Sequence, residues 1–289
     1  MVSFFILLAL FCSSAVAIYY DAVALSTSNR QSKRLAFGSC FSFSNLDKDV
    51  AANPTRKSIF TSISELAPSA FLWMGDLSYI SGDNVHGYDR IKNYAPFVSL
   101  KSSTPTYGVW DDHDYGLNDA GKYLPGKRDR LQHFLDLFDV PASDIERRER
   151  RSGAYNSVKV GNFLVIFLDT RYNRENHFLP SVGGWKHLPF AAVIAAFTRW
   201  CVVGLGLGAN YSGAVLGEEQ WNWLEKMISE ANNDESIDHT IVVSSIQVLT
   251  TNPIVESWGH FPIGERGKSN VCDDSGVELK GTSSRPILG

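Results

Sequence analysis

The sequence predicts a layered α/β fold with a mixed sheet, and three observations carry that expectation. Short apolar runs alternate along the chain with amphipathic helical stripes, which is the pattern of α/β layers. The runs are Leu35 to Phe37, Ala70 to Met74, Tyr107 to Trp110, Phe163 to Leu168 and Ile241 to Val243. Between Val158-Lys159-Val160 and the Phe163 run lies Gly161-Asn162, a two-residue turn that joins antiparallel strands. An antiparallel hairpin added to alternating strands and helices makes the sheet mixed.

The helices follow from spacing. Asn53 precedes Pro54 as a cap precedes a first helical residue, and Ile59, Phe60, Ile63 and Leu66 then recur on one face. Leu131, Phe134, Leu135 and Phe138 repeat the same rule. Trp221, Leu224 and Ile228 do so behind Glu218 and Glu219, whose charges suit a helix N-terminus. These stripes are core faces.

With 289 residues, 44% of them hydrophobic, the chain is long enough for one large domain with a substantial core. Lys plus Arg number 27 against 31 Asp plus Glu, a net charge of -4, so no general field gathers nucleic acid or anionic lipid. An anionic substrate must be held by local cations.

Residues 1–17 read as a signal peptide, with an apolar core and the Ala15-Val16-Ala17 pattern of a cleavage site, and imply a secreted protein. Residues 18–33 form a polar leader. Cleavage leaves three cysteines, an odd number, so at least one lacks an intramolecular partner. Cys40 is the candidate, since a thiolate held by a metal is protected from pairing; Cys201 and Cys272 are free to bridge each other.

Residues 188–209 are nearly continuous apolar sequence about as long as a membrane span. Arg199 near the middle costs about 2.5–3.5 kcal/mol on insertion scales, and Gly204, Gly206 and Gly208 weaken a helix there, so membrane contact is the less favoured reading.

Chemistry concentrates at Trp110-Asp111-Asp112-His113-Asp114, directly after a strand-like run. Carboxylates packed so densely beside a core element repel one another unless a cation offsets them, which points to a metal site. The alternative is an Asp-rich loop that caps a turn and faces water. Asp76 and Tyr79 follow a second strand end and Cys40 a third. Ligands bind at the carboxyl ends of strands in open α/β sheets, so these groups are placed to converge.

Six ordered motifs resemble the PhoD-like alkaline phosphatases and phosphodiesterases of the calcineurin-like metallophosphoesterase superfamily. They are Phe37-Gly-Ser-Cys40, Gly75-Asp-Leu-Ser-Tyr79, Trp110 to Asp119, Leu168-Asp-Thr-Arg171, Leu216 to Trp221 and Ser244-Ser-Ile-Gln247. The resemblance implies an αββα sandwich with mixed sheets and a centre, of iron and calcium, that hydrolyses small-molecule phosphate monoesters or diesters. By motif position, Cys40, Tyr79 and Asp76 match iron ligands, with Asp76 as the bridge between two metals. Asp112 matches a further ligand and Gln247 stands where a His ligand is expected. His113 matches the group beside the phosphoryl oxygens, and Arg171 the phosphate clamp.

Thiolate and phenolate suit a ferric centre while carboxylates suit a hard ion such as calcium, which agrees with that assignment. The domain so defined spans 34–266 with an atypical insert at 176–213. The final Gly-Asp-x-His motif of the family, with its strand, is absent, and 267–289 is a polar tail read as disordered. One sheet edge is therefore expected to stand open.

Overall fold

The computed structural model describes residues 4–8, 19–20, 33–43, 57–77, 79, 88–179, 190–249, 252 and 254–262. The cleavage site at Ala15 to Ala17, Cys12, most of the 18–33 leader, Asn53-Pro54, Cys272 and the 267–289 tail lie outside them.

Two four-stranded sheets form the centre. In one, β3 (Leu35–Gly38), β4 (Ala70–Met74) and β5 (Thr106–Val109) run parallel, with β2 (Tyr19–Tyr20) antiparallel at the edge. In the other, β6 (Asn156–Val160) and β7 (Phe163–Leu168) make the expected hairpin, and β7 pairs in parallel with β8 (His239–Ser244). Beyond β8 lies β1 (Phe4–Leu8), also parallel.

With residues 1–17 attached, β1 covers β8, where an extended apolar segment satisfies backbone groups that would otherwise be unpaired, and the open edge is an expectation for the chain from residue 18 onward. Cleavage after Ala17 would remove this strand and uncover that edge.

Every residue of β4 and β7 is buried, as strands covered on both faces require. Phe163, Val165 and Phe167 of β7 join the core shared with β3, β4 and β5, so the two sheets pack face to face. Leu164, Ile166 and Leu168 point the other way and meet Leu224 and Ala231 of α7 (Glu218–Asn233). On the far side, Phe71 and Trp73 of β4 pack on Phe60 of α1 (Ile59–Glu65), which contacts Phe97 of α3 (Ala95–Ser103). A four-residue α2 (Asp89–Lys92) precedes α3.

The described residues of the insert form no helix long enough to cross a membrane: they hold α6 (Ala191–Gly204), 14 residues, and no helix among the described residues is both long and apolar enough. Arg199 turns back to the protein, Nε donating to the Ile254 carbonyl at 2.9 Å and Nη1 pairing with Asp119 at 3.0 Å. That contact ties the insert to the loops beside the acidic cluster.

Candidate metal centre

The acidic run after β5 forms α4 (Asp112–Tyr115), one turn of helix rather than a loop. Trp110 anchors its start, fully buried against Tyr115 and against Phe134 of α5 (Lys127–Leu137). The buried Asp114 carboxylate accepts from Asp111 N at 3.3 Å and Leu77 N at 3.0 Å, joining α4 to the turn after β4. The turn after β3 is tied in as well, Cys40 N donating to Gly75 O and Phe41 N to Asp76 O. Three strand ends therefore meet at one place.

Asp76, Asp112 and His113 have ligand atoms all within 4.8 Å of one another. His113 N also donates to Asp76 Oδ1 at 3.3 Å. Asp76 is buried in a left-handed conformation, φ +55°, which Asp adopts more readily than most residues. Burial first, then the charges of Asp111, Asp112 and Asp114, push its carboxyl up to about 10. Burial likewise raises Asp111 to about 7, although Arg171 opposes it. Buried carboxylates crowded closely enough to raise one another's pKa fit a divalent cation, whose charge reverses the penalty. A second trio, Asp112, Asp119 and Glu256, satisfies the same distance limit, and Asp119 N donates to Asp112 Oδ2 at 2.8 Å.

Tyr79 lies at the rim, its ring 4.4 Å from that of His113, and its hydroxyl is held above the usual range by burial and then by the Asp76, Asp112 and Asp114 charges. Cys40 Sγ sits 3.8 Å from Asp76 Oδ2. The expectation of a free thiol there is corrected: Cys40 is disulfide-bonded, and Cys201 is the free cysteine among the described residues, so Cys201 does not pair with Cys272. A thiolate facing that carboxylate without a cation would be repelled, and the disulfide removes an ionisable group from a crowded cluster.

Arg171 does not present an open fork. It is buried, its Nη2 lying 2.6 Å from Asp111 and 2.7 Å from Glu256. Burial disfavours its charge, but these two carboxylates hold it well above its usual range. Its ion pairs are with Asp111 and Glu256, not with the nearby Asp169. Asp169 instead accepts backbone N–H groups of Ala154, Arg171 and Tyr172, shaping the turn after β7. Gln220 of α7 clamps that turn through the Asp169 N–H and carbonyl, both at 2.8 Å, so this residue of the Leu216 to Trp221 motif is structural.

Gln247 is buried beyond β8, its backbone bridged to Ser257, and no hydrogen bond links its side chain to the acidic cluster. The residue that sequence reasoning missed is Glu256. Burial alone would raise its carboxyl, yet Arg171 and Arg174 hold it well below the usual range. No periodic pattern or motif marks it.

Gly75 makes the β4 turn possible. Its φ is +110°, and a Cβ there would lie 2.7 Å from the Asp111 Cβ. We expect Gly75→Ala to cost more than about 1 kcal/mol, because the backbone is strained for alanine and the clash displaces α4. Denaturant unfolding reads this directly, and a variant as stable as wild type would show slack between the two turns.

No protein-family model matches the chain, and no curated protein matches it. Its fold is similar to the solved structure of PhoD, with a TM-score of 0.50 and 17% identity over 82% of this chain and 47% of that one. The chain therefore spans about half the length of the structure it matches, and at this identity the likeness is one of fold.

Proposed function

We propose that the chain is a secreted metal-dependent hydrolase of phosphate esters. The observation that carries this reading is the convergence of Asp76, Asp112 and His113, from two strand ends, to within 4.8 Å. The similarity to PhoD supports it, and the apolar run and Ala-x-Ala pattern of 1–17 support export.

Asp76 and Asp112 would hold the ions, with Asp119 and Glu256 as further carboxylates on the same side. Iron and calcium are the ions that the family resemblance implies. A bound ion supplies Lewis acidity toward a phosphoryl oxygen and acidifies water. His113, half-buried, presents its ring where a leaving oxygen can take a proton. Tyr79 adds a phenolic oxygen at the rim. A Cys40 thiolate ligand requires the disulfide to open. Arg171 as phosphate clamp requires release from Asp111 or Glu256; as it stands, it orients both carboxylates. Gln247 joins the ligand set only if its loop moves.

The occupied Arg171 fork favours a second reading, a relative that binds metal or phosphate without turnover. Metal analysis of the full chain, paired with assays on a phosphate monoester and a diester, separates the two. Turnover that rises with metal content and falls by about 100-fold or more in Asp112→Asn supports the hydrolase. Stoichiometric metal without turnover of either ester supports the binding protein instead.

A further inference from the structure

We infer that His177 and His260 form a second metal site, separate from the acidic cluster, for a borderline-soft divalent ion of the zinc type. Both side chains are buried, and their rings lie 5.4 Å apart between centroids at 89°. Both line one recess with Thr198, Arg199 and Val202 of α6.

Each ring has one nitrogen occupied. His177 Nε2 lies 3.0 Å from Glu256 Oε1, a carboxylate that only accepts, so Nε2 carries the proton. His260 Nδ1 lies 3.2 Å from both the Ser257 carbonyl and the Ser257 hydroxyl; the carbonyl only accepts while the hydroxyl can do either, so a proton on Nδ1 suits both partners. The remaining nitrogens, His177 Nδ1 and His260 Nε2, are then lone pairs, and both are buried without a hydrogen-bond partner. Two orphaned acceptors in one recess are costly, and a cation removes that cost.

The arrangement is the one that ligating imidazoles show. A metal-bound His commonly donates its other N–H to a carboxylate or a backbone carbonyl, as His177 and His260 do here. Two imidazoles on one tetrahedral ion, each bonded at about 2.0–2.1 Å, place their ring centroids roughly 5 Å apart. Neutral nitrogen ligands select a zinc-type ion over calcium or magnesium, which prefer oxygen. The negative Glu256 behind His177 favours the cation, and Arg199, which opposes it, is already paired with Asp119 at 3.0 Å. Water or a ligand completes the coordination. The site does not depend on the phosphoester reading.

The test is Co²⁺ titration of the full chain at neutral pH, followed by visible absorption and calorimetry. Wild type is compared with Asp76→Asn, His177→Gln and His260→Gln, with circular dichroism to verify the fold. Binding should survive in Asp76→Asn and weaken by about tenfold or more in each histidine variant. Binding unchanged in both histidine variants, or lost altogether in Asp76→Asn, overturns the site. If a histidine variant does not fold, X-ray absorption on Co²⁺-loaded Asp76→Asn decides: two imidazoles at about 2.0–2.1 Å are required, and fewer overturn it.

Discussion

Asp76→Asn is expected to stabilise the metal-free chain while reducing metal-dependent turnover by about 100-fold, because the proposed function assigns this carboxylate to the ions. The carboxyl is buried, and its pKa moves from an ordinary 3.8 to about 10. Between those values the native state holds a proton that the unfolded chain has released. Stability of the metal-free protein therefore falls as pH rises through that window. Asn removes the ionisable group, keeps its shape and tolerates φ +55°. The gain should be about 0.5–2 kcal/mol at neutral pH, the size usual for relieving a functional site. Thermal unfolding in chelator across pH should give a flatter profile for the variant. Metal should stabilise wild type most toward the alkaline end of that window, where the ligand carboxylate gives up its proton at least cost, and the variant little. An unchanged pH slope, or full turnover in Asp76→Asn, would refute the assignment.

What could be read from the chain was local. The Phe163 run with Gly161-Asn162 makes a hairpin from neighbouring residues, and the structure pairs Val160 with Phe163 as that turn requires. The Asp111 to Asp114 cluster was visible because its charges are adjacent, and Asp76 because it follows a strand of five apolar residues. Helix α3 was missed, since it buries only Phe97 and Leu100 and shows no long stripe; Pro96 in its first turn was the available signal. The fate of Cys40 depends on a partner distant in sequence, so spacing could not decide between thiolate and disulfide. Glu256 likewise sits 85 residues from Arg171 and acquires its meaning from the fold alone. The α6 segment reads as apolar on every side but for Thr198 and Arg199, and its orientation comes from the fold, which docks Arg199 and buries Ala195 and Val202.

Glu256→Ala should be the most destabilising of the substitutions considered, at about 3–5 kcal/mol, the usual cost of leaving a buried charge without its partner. Glu256 stands between Arg171 and Arg174, whose side chains are 2% and 0% exposed, and also accepts from His177. Without it Arg171 keeps Asp111, but Arg174 keeps only the carbonyls of Asp119 and Glu175, which do not neutralise its charge. Two buried guanidiniums then face each other across the gap. Glu256→Gln should cost less, since the amide oxygen still accepts a hydrogen bond. The carboxyl is held well below its ordinary 4.5, so its contribution is present above that pH and is lost as pH falls toward the native value. Denaturant unfolding at neutral and acid pH should show wild type and Glu256→Gln converging in acid. If Glu256→Ala unfolds within about 1 kcal/mol of wild type, water reaches the arginines and the network is not a buried one. If it unfolds as expected, the residue that lacks any sequence signature is the one that holds the acidic cluster, Arg171 and His177 in a common frame.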